Sequence, residues 1–136
     1  MRTDSQGTIY LFWEDGFKGQ SIQVMARSFD GGVTFERKRT IANVTDVGAF
    51  DPAQGDFTFD GVAGARTNSY LSVDIANGAP TGGGPDTIVA VWADALNGLN
   101  DEKALLQYST DGGVTWSTPT NVAQTGDRPN FPSVAI

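Results

Sequence analysis

The stretch Ser28-Phe-Asp-Gly-Gly-Val-Thr-Phe-Glu36 returns later in the chain as Ser109-Thr-Asp-Gly-Gly-Val-Thr-Trp-Ser117. The two aspartates, Asp30 and Asp111, are 81 positions apart (111 − 30). The similarity extends upstream. Gly7-Thr-Ile-Tyr-Leu-Phe-Trp-Glu-Asp15 matches Asp86-Thr-Ile-Val-Ala-Val-Trp-Ala-Asp94 with an offset of 79, so the second copy holds two more residues between this segment and the turn. Self-similarity over roughly 30 residues marks a repeat architecture.

Each copy reads as strands. Residues 9–13 and 88–92 are short runs of β-branched and aromatic residues, a pattern of strands buried on both faces. Residues 21–28 and 103–109 follow, with Ile22, Val24 and Ala26 alternating with polar neighbours. The quoted turn comes next, then residues 35–44 and 116–123. The first of these carries Glu36, Arg37, Lys38 and Arg39, and the second carries Pro119. Charge and proline keep an exposed edge strand from unwanted pairing. A third correspondence links Arg66-Thr-Asn-Ser-Tyr-Leu-Ser-Val-Asp-Ile75 with Asp127-Arg-Pro-Asn-Phe-Pro-Ser-Val-Ala-Ile136, each a strand ending Ser-Val-x-Ile. Naming the strands A to D outward from Ser-Val-x-Ile gives the order BCD-ABCD-A.

Composition agrees with many strands and tight turns: 17 glycines and no helical periodicity. At 136 residues the chain suits one domain. The balance of 9 basic and 16 acidic residues, a net charge of −7 without a basic run, argues against nucleic-acid or anionic-membrane partners. The absence of histidine removes Ser-His-Asp and Cys-His catalysis and almost all zinc chemistry; the absence of cysteine removes disulfides and thiolates. No cofactor is expected. No signal peptide or membrane-spanning run is present in this sequence.

Both turns resemble the Asp-box, or BNR repeat, with its pattern Ser/Thr-x-Asp-x-Gly-x-Thr-Trp/Phe: Ser28, Asp30, Gly32, Thr34 and Phe35 in one copy, Ser109, Asp111, Gly113, Thr115 and Trp116 in the other. The resemblance implies part of a sialidase-like β-propeller. The fold expectation is therefore all-β, with two blades' worth of four antiparallel strands: strands B-C-D of a split blade at 7–44, a long connection at 45–68, a complete blade at 69–123, and strand A at 131–136. Two blades cannot close a ring. Either three copies assemble into a six-bladed propeller, each strand A completing a neighbour's blade, or the chain belongs to a longer propeller. The resemblance also favours a secreted or periplasmic protein.

The turn explains itself physically. An Asp side chain can bond backbone N–H groups further along and close a loop, and glycine allows φ > 0. Calcium is the functional alternative, but the ligand series of an EF-hand loop is missing.

In the family the Asp-boxes lie opposite the active face, which here maps to residues 45–68, 124–130, 14–20 and 94–102. Sialidases gather arginines on a substrate carboxylate, with a Tyr–Glu nucleophile pair and an Asp acid/base. Arg66 and Arg128 precede strand A, the comparable place, but Asp127-Arg-Pro-Asn130 lacks the Phe and Ile of the family motif. Each could bind an acidic sugar or brace its own loop. Tyr70 could face a channel or simply pack. Glu14, Asp15, Asp94, Asp101 and Glu102 could supply a carboxylate pair, bind a cation or keep the surface soluble. Phe50, Phe57 and Phe59 could stack on sugars, dock the connection onto a blade or mark a subunit contact. Three functions stay open: a non-catalytic carbohydrate- or ligand-binding propeller module, a sialidase-like exo-glycoside hydrolase or a fragment of one, and a structural segment of a larger secreted protein. The candidate ligand contacts are Arg66, Arg128, Tyr70, Asp94 and Glu14, with no metal site.

Overall fold

The structure is a computed structural model describing residues 1–17, 20–59, 62, 64–124 and 126–136. The expected loops 14–20, 45–68 and 124–130 each include residues outside that set. The fold is all-β, with no helix among the described residues. The described residues form three antiparallel sheets of four, two and four strands, and none of these closes into a barrel.

The first sheet has the order β1 (Arg2–Thr3), β2 (Ile9–Phe17), β3 (Gln20–Ser28), β4 (Arg39–Val44). β2 and β3 pair without interruption from Ile9↔Ser28 to Phe17↔Gln20, and a bulge between Gln23 and Val24 shifts β4. A two-stranded hairpin follows, β5 (Ala49–Asp51) with β6 (Asp56–Thr58). The last sheet has the order β7 (Ser72–Ile75), β8 (Ile88–Asp94), β9 (Lys103–Ser109), β10 (Thr120–Asn121).

Three features differ from the sequence-based expectation. The inner edge of the first sheet is taken by Arg2–Thr3 of the same chain, paired with Tyr10 and Ile9. Asp4 builds the turn that brings this strand back: Oδ1 accepts from Gln6 N (3.0 Å) and Thr8 N (2.8 Å), Oδ2 accepts from the Tyr10 hydroxyl (2.9 Å), and Gly7 supplies φ +85°. Residues 131–136 form no strand within this chain. They run beside β7 instead, with Val134 N donating to Ser72 Oγ (3.2 Å) and Ile136 N to Asp74 Oδ2 (2.8 Å). The connection at 45–68 has structure of its own, the β5–β6 hairpin, closed by an Asx turn in which Ala53 N donates to Asp51 Oδ1 (2.8 Å).

The main core lies between the two four-stranded sheets. Tyr10, Met25 and Ile41 of the first meet Val73, Ile75, Ile88 and Ala90 of the second, with Phe12, Leu71 and Trp116 packed around them. Burial of side chains this size contributes about 1.5–3 kcal/mol each. A smaller cluster of Val47, Ala93 and Ala95 seats the start of the connection against the far end of β8, where Ala95 N also donates to Thr45 O (2.8 Å).

Candidate functional site

The antiparallel order gives the sheets two functionally different ends. Ile9 and Ile88 face Ser28 and Ser109 across the ladder, so both repeated turns leave from one end. Glu14, Asp94 and the residues preceding Ser72 lie towards the other.

At the first end the two turns repeat bond for bond. Ser28 Oγ donates to Asp30 Oδ1 (2.8 Å) and accepts from Gly32 N (2.8 Å); Thr34 donates its N–H to Asp30 Oδ1 (2.9 Å) and its hydroxyl to Oδ2 (2.6 Å). Ser109, Asp111, Gly113 and Thr115 make the same four bonds at 2.8, 2.9, 2.9 and 2.6 Å. Gly31, Gly32, Gly112 and Gly113 all have positive φ, conformations that glycine adopts without the cost of a Cβ. The Thr hydroxyl and N–H, then the Ser hydroxyl, hold both carboxyls down at about 2. Each carboxylate is thus fully engaged in closing its own loop.

At the second end Asp56, Arg66, Thr67, Asn68, Tyr70 and Phe131 surround an open pocket of about 330 Å³. The hairpin and the segment before β7 build it together. Thr67 N donates to Phe57 O (3.0 Å), and Arg66 bridges to Thr58, so this segment lies along β6. Thr67 Oγ1 donates to Asn130 Oδ1 (2.7 Å), which brings Phe131 to the rim. Asn68 Oδ1 accepts from Tyr70 N (2.8 Å), an Asx turn that sets the tyrosine's approach. Tyr70 is 61% and Phe131 54% exposed. Phe131 sits at φ +47°, a region costly for an aromatic residue. The Arg66 guanidinium pairs with the Asp56 carboxylate on the pocket wall.

Three neighbouring carboxyls, Glu14, Asp46 and Asp94, lie towards the same end of the sheets. Asp94 is buried, and its oxygens accept from Trp92 Nε1 (3.0 Å) and Thr45 N (3.3 Å). Its carboxyl is raised by burial, which outweighs those two donors, and the Asp46 charge adds to the rise. Asp46 Oδ2 accepts from Ser21 Oγ (2.6 Å). Its other oxygen and Glu14 Oε2 are buried and receive no donor. Burial first, then the charge of Asp46 and a hydrogen bond with it, push Glu14 up to about 7. Gln23, opposite Glu14 in the ladder, donates through Nε2 to Ser69 O (2.6 Å), while Ser69 Oγ accepts from Val47 N (3.1 Å). Among the described residues no group of three or more His, Cys, Asp or Glu is arranged to hold a metal ion.

The sequence-derived candidates therefore separate. Arg66 and Tyr70 line one pocket. Glu14 and Asp94 both neighbour Asp46 in the interior. Arg128 grips Glu102 through two nitrogens, Nε at 2.9 Å and Nη2 at 3.0 Å; Glu102 is buried, and its Oε1 also accepts from Asn100 N (3.1 Å). Sequence reasoning did not single out Asp46, Asp56 or Phe131. The aromatic of Asn130-Phe131, aligned with Ser69-Tyr70 in the Ser-Val-x-Ile repeat, was the available signal for Phe131. No family model matches the chain, and neither the curated proteins nor the solved structures contain a match.

Proposed function

We propose that the chain is a non-catalytic carbohydrate-binding module of β-propeller type, its two four-stranded sheets being two blades, and that sugar binds in the Arg66–Tyr70–Phe131 pocket. The observation that carries this is the lining itself: two exposed aromatic rings beside an Arg–Asp pair. A sugar ring has flat C–H faces edged by hydroxyls. Aromatic rings take the faces, and a carboxylate and a guanidinium take the hydroxyls.

A hydrolase is less well served. Glycoside hydrolysis uses two carboxyls about 5 Å or more apart with access to substrate. Glu14 is half-buried beside the Asp46 carboxylate, whose charge raises it, and both oxygens of Asp94 are occupied within the fold. Arg128 is spent on Glu102 and acts as a brace for its loop. A partner is also proposed, either further copies or the rest of a longer propeller, because two blades leave lateral faces unmatched.

A glycan array, together with a fluorogenic sialoside assay, tests the reading. Binding without turnover is expected, and Tyr70→Ala should weaken it about tenfold, the scale of one lost stacking contact. Turnover of the sialoside, or an array without a binder, contradicts it.

A further inference from the structure

The contact between the two four-stranded sheets has a repeat-related counterpart that is left uncovered. On β8, Ile88, Ala90 and Trp92 are fully buried; Ile88 and Ala90 pack against Tyr10, Phe12 and Met25 of the first sheet. The turn beside them is covered as well. Arg27 Nη1 donates to Gly112 O (2.9 Å), and a Cβ on Gly113 would lie 2.4 Å from Met25 Sδ. Trp116 joins the same core.

The repeat places Ile9, Leu11 and Trp13 where Ile88, Ala90 and Trp92 stand (88 − 9 = 79), yet these three are only half-buried. Gly31 and Gly32 correspond to Gly112 and Gly113. A Cβ on Gly31 meets nothing within 4 Å, and one on Gly32 meets only Ile9 Cδ1 at 3.6 Å. Phe35, the counterpart of Trp116, is 40% exposed. The first sheet thus has the receiving face without a cover. The second sheet has the covering face without a receiver: Tyr10, Met25 and Arg27 correspond to Val89, Leu106 and Tyr108, of which the first two are half-buried and Tyr108 is 50% exposed, while Val91, the counterpart of Phe12, is already buried within the chain.

We propose that these two faces meet between copies of the chain. The Val89–Leu106–Tyr108 face of one copy docks head to tail on the Ile9–Leu11–Trp13 face and Asp30 turn of the next, repeating the contact already made inside each chain. The occupant is a second copy because the chain itself contains both halves of the interface, one used and one free. Such a contact is heterologous and forms a ring when its rotation closes. No exchange of strands is required. By the β7–β8 register, a neighbour's Ser133–Ile136 would meet β2 at Phe12 to Ile9, where Arg2–Thr3 already holds Tyr10 and Ile9. This inference rests on the two-blade reading and is independent of the sugar pocket.

Two exposed side chains test it. Phe35→Asp spoils the receiving face and Tyr108→Asp the covering face, each weakening association at least about 30-fold, the scale of an aromatic anchor. Light scattering on the full chain should give a multiple of the single-chain mass for the wild type and a monomer for either variant. An equimolar mixture of the two variants should give a two-chain species and nothing larger, since one intact face of each kind remains. Matching thermal melts in the far-ultraviolet confirm that both variants are folded. A monomeric wild type at every concentration overturns the proposal. So does association of either variant alone, or a variant mixture that stays monomeric.

Discussion

The two glycine pairs of the repeated turns offer a comparison within one molecule. Gly32→Ala and Gly113→Ala are the same change at equivalent positions, φ +91° and +78°. Each forces a Cβ into the left-handed region, at about 1–2 kcal/mol. Their surroundings differ. The new methyl at 32 has only Ile9 Cδ1 near it, at an ordinary 3.6 Å. The new methyl at 113 lands 2.4 Å from Met25 Sδ and 2.5 Å from its Cε, and Met25 is fully buried with no solvent to swing into. Overpacking of that kind adds about 1–3 kcal/mol. The expected losses are therefore about 1–2 kcal/mol for Gly32→Ala and about 2–5 kcal/mol for Gly113→Ala. Urea unfolding at fixed pH, with both variants made in a Tyr108→Asp background so that contacts between copies do not contribute, measures the difference. Equal losses, or a larger loss at Gly32, would refute the claim that the second turn is docked on the first sheet while the first turn is bare.

Three further outcomes follow from the same geometry. Asp30 and Asp111 lie at about 2, below the ordinary 3.8, so their stabilisation is complete above 3.8 and is lost as pH falls towards 2; carboxyl NMR should find both ionised at pH 3, and a midpoint near 4 for either contradicts the clasp geometry. Glu14 is shifted the other way, from 4.5 to about 7, so its contribution to stability is complete below 4.5 and is lost as pH rises through 7, by about 1–3 kcal/mol after discounting for its partial exposure; Glu14→Gln should remove that slope and be the more stable protein at pH 8, and an unchanged slope excludes Glu14 as its source. Arg128→Ala strands the buried Glu102 and should cost about 1–3 kcal/mol in thermal or urea unfolding while leaving sugar affinity unchanged, whereas lost affinity without lost stability makes it a ligand contact.

The repeated turn was enough to read three strands of the first large sheet and all four of the second, because each Asp-Gly-Gly turn fixes its own conformation from residues within seven positions of one another. Local causes leave local signals. The β1 strand leaves no sequence signal because Arg2 and Thr3 are polar and only two residues long; what holds them is Asp4, through bonds to Thr8 and Tyr10 that form once the chain has turned back. The hairpin in the connection left a trace, Phe50 and Phe57 flanking an Asp-rich turn, and these residues face each other in the ladder with their rings 5.7 Å apart. Half of the candidate site was legible for the same reason. Arg66 and Tyr70 are four residues apart and share a pocket, while Asp56 and Phe131 arrive by way of the hairpin and the tail, through contacts made only in three dimensions. The Glu14–Asp46 pair spans 32 positions (46 − 14) and no sequence pattern announces it. For Arg128 the sequence left a sugar contact and a loop brace both open, because nothing near it points to its buried partner 26 positions back, Glu102.

Sugar binding is proposed at the end of the sheets away from the repeated turns. Amide chemical-shift mapping during titration with a saccharide drawn from the array locates the bound sugar residue by residue. Shifts should concentrate at Arg66, Asn68, Tyr70 and Phe131, with the Asp30 and Asp111 turns unmoved. Shifts centred on those turns, or a bound sugar that leaves Tyr70 and Phe131 unperturbed, would contradict it.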